Sequence, residues 1–239
     1  MNAVKAEALK LLRTPNVWLA CLFIAVIGWL VVGYGRLRGF VFAETALYTT
    51  IVLGVLSPLV LSLIAAFQSE NERKAGSVFW LLSSPHRVRN SLATIAVGMC
   101  VFACGIILGL IPLAFHSVSV AFLLALILIA SGIALYIVHL WLGLSYGLIA
   151  TVALGVAESA LSPILLTALG DKVWHYIPAA WQARTSVSYL MVTQADTTSE
   201  QYTILYHDLA TFIPVYILVT VTVIVLFCLW ITKWNGNKN

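Results

Sequence analysis

The sequence predicts an all-α polytopic membrane protein, and three observations lead there. Mean hydropathy over the 239 residues is +1.01, with 62% of them hydrophobic and only 9% charged, too few polar groups to clothe a water-soluble core. Six apolar runs are about as long as the roughly 20 residues needed to cross a bilayer. The runs are continuous rather than alternating. Of the two structures lipid permits, helix and closed barrel, that pattern selects helix.

Residues 1–14 come first. Val4, Ala8, Leu11 and Leu12 recur at helical spacing with Lys5, Lys10 and Arg13 mostly off the stripe, the pattern of a helix lying in the membrane interface. Pro15 suits the turn into the bilayer. Spans are expected at about 15–34, 46–67, 92–115, 118–140, 144–168 and 210–232. The first is kept as a span rather than a cleaved signal, because its apolar stretch exceeds the usual 7–15 residues and no A-x-A-like site follows. "FHSVS" makes spans three and four a tight hairpin, and "HLWLGLSYG" holds a second short turn. Pro58, Pro112, Pro163 and Pro214 read as kinks that neighbouring helices can tolerate. The outer segment 171–208 is too apolar for a solvated loop and too short for a span. It reads as re-entrant or interfacial, with Trp174, Tyr176 and Trp181 at headgroup depth and "QADTTSEQ" as an exposed loop.

Lysine and arginine placement sets the orientation. With the N-terminus inside, Lys5, Lys10, Arg13, Arg73, Lys74, Arg87, Arg89, Lys233 and Lys238 lie on the inner side, against Arg36, Arg38, Lys172 and Arg184 outside. Both termini are therefore expected in the cytoplasm. The net charge of +4 reads as topology and contact with anionic lipid heads, not as nucleic-acid binding.

Between spans two and three the composition changes: residues 68–91 hold Glu70, Glu72, Arg73, Lys74, Arg87 and Arg89. Ser69 and Glu72 form a capping-box pattern, and Ala75, Val78, Phe79 and Leu82 make one apolar stripe. A helix over 69–84 is expected, stopped by Pro85. An amphipathic helix with charges packed at its start is suited to a partner's groove.

"ENERKAGSVFWLLSSPHRVR" resembles the cytoplasmic coupling segment of ABC-2-type transporter permeases, whose pattern is approximately E-x-E-[RK]-x-x-G-[ST], then L-L-[ST]-x-P and a basic residue. Glu70, Glu72, Arg73, Gly76, Ser77, Leu81, Leu82, Ser83, Pro85 and Arg87 or Arg89 carry the match. The opening "AEALKLLRTPNVWLACL" is similar to the start of the lantibiotic-immunity branch, through Glu7, Leu9, Lys10, Leu11 and Arg13, with Leu12 where that branch commonly has lysine. The resemblance covers the whole chain. It implies a transport subunit and not an enzyme: the permease of an ATP-driven exporter in a bacterial plasma membrane, expelling a lantibiotic to give self-immunity. No G-x-x-x-x-G-K-[ST] occurs in the sequence, so ATP and Mg²⁺ are expected on a separate ATPase present in two copies. A second permease, related but distinct or else a second copy, is expected beside this one. Coupling would fall to Glu70, Glu72, Arg73, Gly76, Val78, Phe79, Leu82, Pro85 and Arg87. Another hydrophobic cargo, such as a drug, lipid or different peptide, fits the same machine.

Glu158 is the one carboxylate deep in an expected span, which makes it a functional candidate because burying its charge is costly. With Trp174 and Trp181 it is the candidate for the substrate pathway. Of the histidines, His116 and His139 read as residues at span ends, and no H-x-x-x-H or H-E-x-x-H spacing supports a metal site. Cys21, Cys100, Cys104 and Cys228 read as small buried hydrophobes. An intramembrane enzyme would require Glu158 to meet a histidine, and a peptide sensor would have to work with short loops.

Overall fold

Lipid offers an unpaired peptide group nothing to bond, so each apolar run must close its own backbone ladder. The computed structural model describes residues 3–12, 14–74, 84–195 and 197–235. These form nine α-helices and one 3-10 turn, with no strand among them. In chain order they are α1 (Ala3–Leu12), α2 (Pro15–Arg38), α3 (Phe42–Lys74), α4 (Arg87–Ala114), α5 (Val118–Ser131), α6 (Ile133–Tyr146) and α7 (Leu148–Leu165). The 3-10 turn Trp174–Tyr176, α8 (Pro178–Gln194) and α9 (Glu200–Lys233) complete the chain. Six stretches are long and apolar enough to cross a membrane: α2, α3, α4, α5 with α6 as one span, α7, and residues Tyr202–Lys233 of α9. This is a multi-pass membrane protein.

Local chemistry sets the breaks. Pro15 opens α2 where its missing amide costs no ladder bond, and Gly39 closes it at φ +73°, donating to the Arg36 carbonyl while Phe40 donates to that of Gly35. Ser199 caps α9, its Oγ accepting from the Tyr202 amide at 3.1 Å, so the helix starts at Glu200 rather than near 210. Span four is two helices parted at Gly132, and Gly147 at φ +91° turns the chain from α6 into α7.

The expected helix start at 69 is overturned. α3 runs unbroken to Lys74, and the Ser69 Oγ returns to the Ala66 carbonyl at 2.9 Å instead of capping anything. The ladder arriving from the membrane needs no new nucleus, and Glu, Arg and Lys continue it readily. The rest of the expected helix, with Gly76, Val78, Phe79 and Leu82, lies outside the described residues.

α3 is the hub, packing against α2, α4, α6, α7 and α8. Cross-links gather α1, the end of α3, the start of α4 and the end of α9 at one end of the bundle. Lys10 reaches Glu72, Asn71 reaches Thr14, and Arg87 reaches the Trp234 carbonyl. At the opposite end Phe42 stacks on His116 at 5.8 Å, with Arg36 3.4 Å from the same imidazole. α8 goes inside: ten of its 17 residues are buried among α3, α5, α7 and α9. Two of the four cysteines depart from expectation, for Cys100 and Cys104 lie exposed on the bundle's outer face.

α2 and α4 approach most closely where Gly28 faces Gly109, and a Cβ on Gly28 would collide with the Gly109 backbone. Gly33, on the same helix, has open space beside it. Gly28→Val should cost at least ~1–3 kcal/mol by overpacking, while Gly33→Ala should be neutral or gain a few tenths. Thermal unfolding of the detergent-solubilised variants checks both. Equal melting temperatures for the two variants would show that the glycine contact does not set the packing.

Candidate functional site

At the end of the bundle that carries α1, a half-exposed lysine joins two buried carboxylates. Lys10 Nζ donates to Glu7 Oε1 at 2.7 Å and to Glu72 Oε1 at 2.8 Å, joining α1 to the end of α3. Burial raises the Glu7 carboxyl above its ordinary range; Lys10 opposes the rise, and Glu72 adds to it. For Lys10 burial works the other way, but the two carboxylates outweigh it and hold the ammonium above its usual value. Asn71 Nδ2 donates to Thr14 Oγ1 at 2.8 Å, and Trp18 Nε1 to the Leu11 carbonyl at 3.2 Å. α1 is thus bolted to the bundle by side chains on both of its flanks.

Around this triad the residues matched to the coupling pattern separate into two groups. Glu72 points inward and is structural. Glu70 faces the surface, 3.3 Å from Lys74 one turn on, and the Arg73 guanidinium lies against Gly147, in the space a side chain would fill. Beyond the gap, Pro85 lies in the turn before α4, and Ser84 Oγ accepts from the His86 amide at 3.2 Å and from Asn90 Nδ2 at 3.0 Å. Arg87 donates to the Trp234 carbonyl at 3.0 Å, tying the start of α4 to the end of α9. Glu70, Glu72, Arg73, Pro85 and Arg87 therefore share one end, at the end of α3, in the turn before α4 and at the start of α4.

Inside the membrane-spanning region Glu158 of α7 meets His139 of α6. The Oε2–Nε2 separation is 2.9 Å, and the imidazole is fully buried. The contact is close enough for an ion pair, yet neither ring nitrogen makes an aligned hydrogen bond among the described residues. His139 is not an interfacial residue at a span end. Glu158 needed a partner because a lone carboxylate in hydrocarbon is costly, and that requirement was the one signal in the sequence pointing to His139. The 19-residue separation crosses a turn and offers no periodicity to read. Among the described residues no group of three His, Cys, Asp or Glu side chains could hold a metal ion.

Trp174 and Trp181 are both fully buried, against the expectation of headgroup depth; only Tyr176 is exposed. They form a small aromatic core with Phe212 and Tyr216, Trp174 stacking on Phe212 at 5.0 Å and on His175 at 4.1 Å. Trp181 Nε1 donates to the His175 carbonyl at 3.0 Å. Trp181 from α8 and Trp174 from the turn before it thus form an aromatic floor against α9. Comparison of the chain with family models, curated proteins and solved structures finds no match, so the functional reading rests on residues and geometry.

Two outcomes follow. Lys10→Ala leaves Glu7 and Glu72 facing each other. Discounted for the 39% exposure of the lysine side chain, it should cost ~1–2 kcal/mol. Adding Glu7→Gln should restore most of that loss, read by unfolding in detergent. His139→Leu should cost ~3 kcal/mol by stranding a buried carboxylate, and His139→Leu with Glu158→Leu should return to within ~1 kcal/mol of the parent. Additive losses in that double-mutant cycle would mean the two side chains do not interact.

Proposed function

We propose that this chain is the permease subunit of an ATP-driven exporter of the ABC-2 type in a bacterial plasma membrane. Its cargo, on this reading, is an amphipathic antimicrobial peptide of the lantibiotic kind, moved from the membrane to the outside as self-protection. One observation carries the reading. The stretch resembling a coupling segment hangs between two spans that begin or end on its own charged residues. α3 arrives as one continuous helix ending in Glu70, Glu72, Arg73 and Lys74, and α4 departs from Arg87. A push on residues 75–83 is delivered straight to the hub helix on one side and to its neighbour on the other.

The common placement of α1 and the end of α9 supports a cytoplasmic location for both termini, as the lysine and arginine bias requires. ATP and Mg²⁺ belong to the partner ATPase in this scheme, and a second permease, related or identical, completes the pathway. An engine is needed because each large apolar side chain drawn from lipid into water costs roughly 1.5–3 kcal/mol, so a peptide held by five needs on the order of 10. The same machine could carry another hydrophobic cargo.

The meeting of Glu158 and His139 favours a second reading, an intramembrane acid–base enzyme. That reading leaves the charged stretch between α3 and α4 without a role. Peptide release from cells separates the two. Cells carrying the chain with its co-encoded ATPase are loaded with the cognate lantibiotic, and peptide is quantified in cells and supernatant. Release should need the phosphate-binding lysine of the ATPase. It should fall at least tenfold in Leu82→Asp or Gly76→Pro, with membrane insertion unchanged. Normal release in both variants would sink the coupling assignment, and unchanged cell-bound peptide in the parent would remove the lantibiotic.

A further inference from the structure

Where α4 begins and α9 ends lies a cleft of about 660 Å³, within the range of small-molecule sites. Arg87, Val88, Arg89 and Leu92 line it from α4, Thr232 from α9 and Ser84 from the turn between. Both helices are membrane-spanning, and the apolar stretch of α9 ends at Lys233, one residue past Thr232. The Trp234 carbonyl that takes Arg87 belongs to a row of half-buried indoles, Trp234 stacking on Trp230 at 4.8 Å and Trp230 meeting Trp141 at 5.6 Å. Tryptophans gather at headgroup depth, and the span ends put the cleft at that same level.

The charge of this cleft has one sign. A guanidinium stays protonated at any working pH. Arg87 donates to a carbonyl, a neutral acceptor that leaves its charge uncancelled. Arg89 is exposed and makes no hydrogen bond or ion pair among the described residues. No Asp or Glu lines the cleft, and the sequence holds none between Glu72 and Glu158 or after Asp208. The carboxylates of this end, Glu7, Glu70 and Glu72, have Lys10 and Lys74 beside them. Two positive charges therefore stand whatever the state of His86, which also lines the cleft. Ser84 adds a donor. Its Oγ accepts from the His86 amide and from Asn90 Nδ2, which leaves the hydroxyl hydrogen to give. Leu92, exposed and almost one turn further into the span, changes the lining from charged to apolar.

We infer that this cleft holds the phosphate of an anionic membrane lipid, with Arg87 and Arg89 as counter-charges and Leu92 against the start of its acyl chains. The planar donors of a guanidinium suit phosphate oxygens, and the order of head and chain in a lipid follows the step from Arg89 to Leu92. A zwitterionic lipid brings its own cation and gains less from two arginines. A free phosphate gains nothing from the apolar side. The inference rests on the spanning character of α4 and α9 and not on the exporter reading, so either can fail alone.

Equilibrium binding to the purified full chain in maltoside micelles tests it, with dioctanoyl phosphatidylglycerol, dioctanoyl phosphatidylcholine and inorganic phosphate as probes. Saturable binding of the phosphatidylglycerol is expected, about tenfold tighter than either of the others or better. Arg89→Gln removes a side chain with no contact to lose, so the fold should persist while the affinity falls about tenfold. Lys5→Gln takes an equal charge from an exposed position on α1 at the same end, and should leave the affinity within about twofold. Equal losses in the two variants would mean diffuse attraction to a basic membrane face and overturn the site, as would unchanged affinity in Arg89→Gln. Equal binding of the two lipids overturns recognition of the anionic head. Inorganic phosphate binding as tightly as phosphatidylglycerol overturns the lipid as occupant.

Discussion

How closely the neighbours of α3 can approach it decides the shape of this bundle. Within hydrocarbon no water-driven force pushes helices together, so association depends on close packing and on hydrogen bonds between them. The sequence supplies small residues at the crossings. Gly54 meets the backbone of Ala183 on α8, Ser62 faces Gly155 on α7, and Ser69 faces Gly143 on α6. A larger side chain at any of these glycines would hold the helices apart. The seam also admits α8, which is too short to span and would otherwise lie on the surface. α3 is accordingly the most buried of the six spans and α9 the least.

Most polar groups drawn into this seam are satisfied by backbone or by one another. Thr49 and Ser57 return their hydroxyls to carbonyls four residues back, at 2.7 and 2.6 Å. Pro58 removes a donor from α3, and the next amide, Leu59, donates to Ser159 Oγ on α7 at 3.0 Å, a stitch from a neighbouring helix at a proline. Tyr136 donates to Gln68, whose amide reaches the Thr94 carbonyl at 3.4 Å. Against that pattern the His139–Glu158 contact is close but unaligned, and Thr50 of α3 and Ser162 of α7 likewise leave their hydroxyls without a hydrogen bond among the described residues. The His139–Glu158 pair joins α6 to α7 by proximity alone, whereas Gly143 and Gly155 seat the same two helices against Ser69 and Ser62 of α3.

The spans were legible because hydropathy is a bulk property and lipid punishes any other backbone. The lysine and arginine count also put residues 10, 73 and 87 on one side, and the fold brings them to the same end of the bundle, Lys10 on Glu72 next to Arg73 and Arg87 on the Trp234 carbonyl. What the sequence hid depended on context. Ser69-x-x-Glu72 has the form of a helix start, but a helix already running through it leaves no free amide to cap. α8 read as re-entrant or interfacial because its stretch is too apolar for a solvated loop and too short to span; inside the bundle Gln182 and Arg184 find partners in the carbonyls of Leu128 and Leu166. Trp174 and Trp181 looked like interfacial anchors because aromatic rings gather at headgroup depth, and the small residues Ala179, Ala180 and Ala183 beside them allow close approach to the bundle. His139 gave no local sign, because its meaning lies on another helix.

One body connects the two ends. α3 holds Lys10 through Glu72 at the end bearing α1, and in its other half it touches α8 at Gly54 with no space for slack. Close-packed contacts pass displacement on instead of absorbing it. The helix pressed against Gly54 also supplies Arg184, Val187, Ser188 and Met191 to a cleft of about 680 Å³ between it and α9. The cleft's other wall is the upper part of α9, the span with the fewest buried residues. Displacement of α3 is therefore passed to α8 at Gly54, and from α8 to α9 through Trp181, whose ring meets Phe212 and Tyr216 edge-on at 5.6 and 5.5 Å.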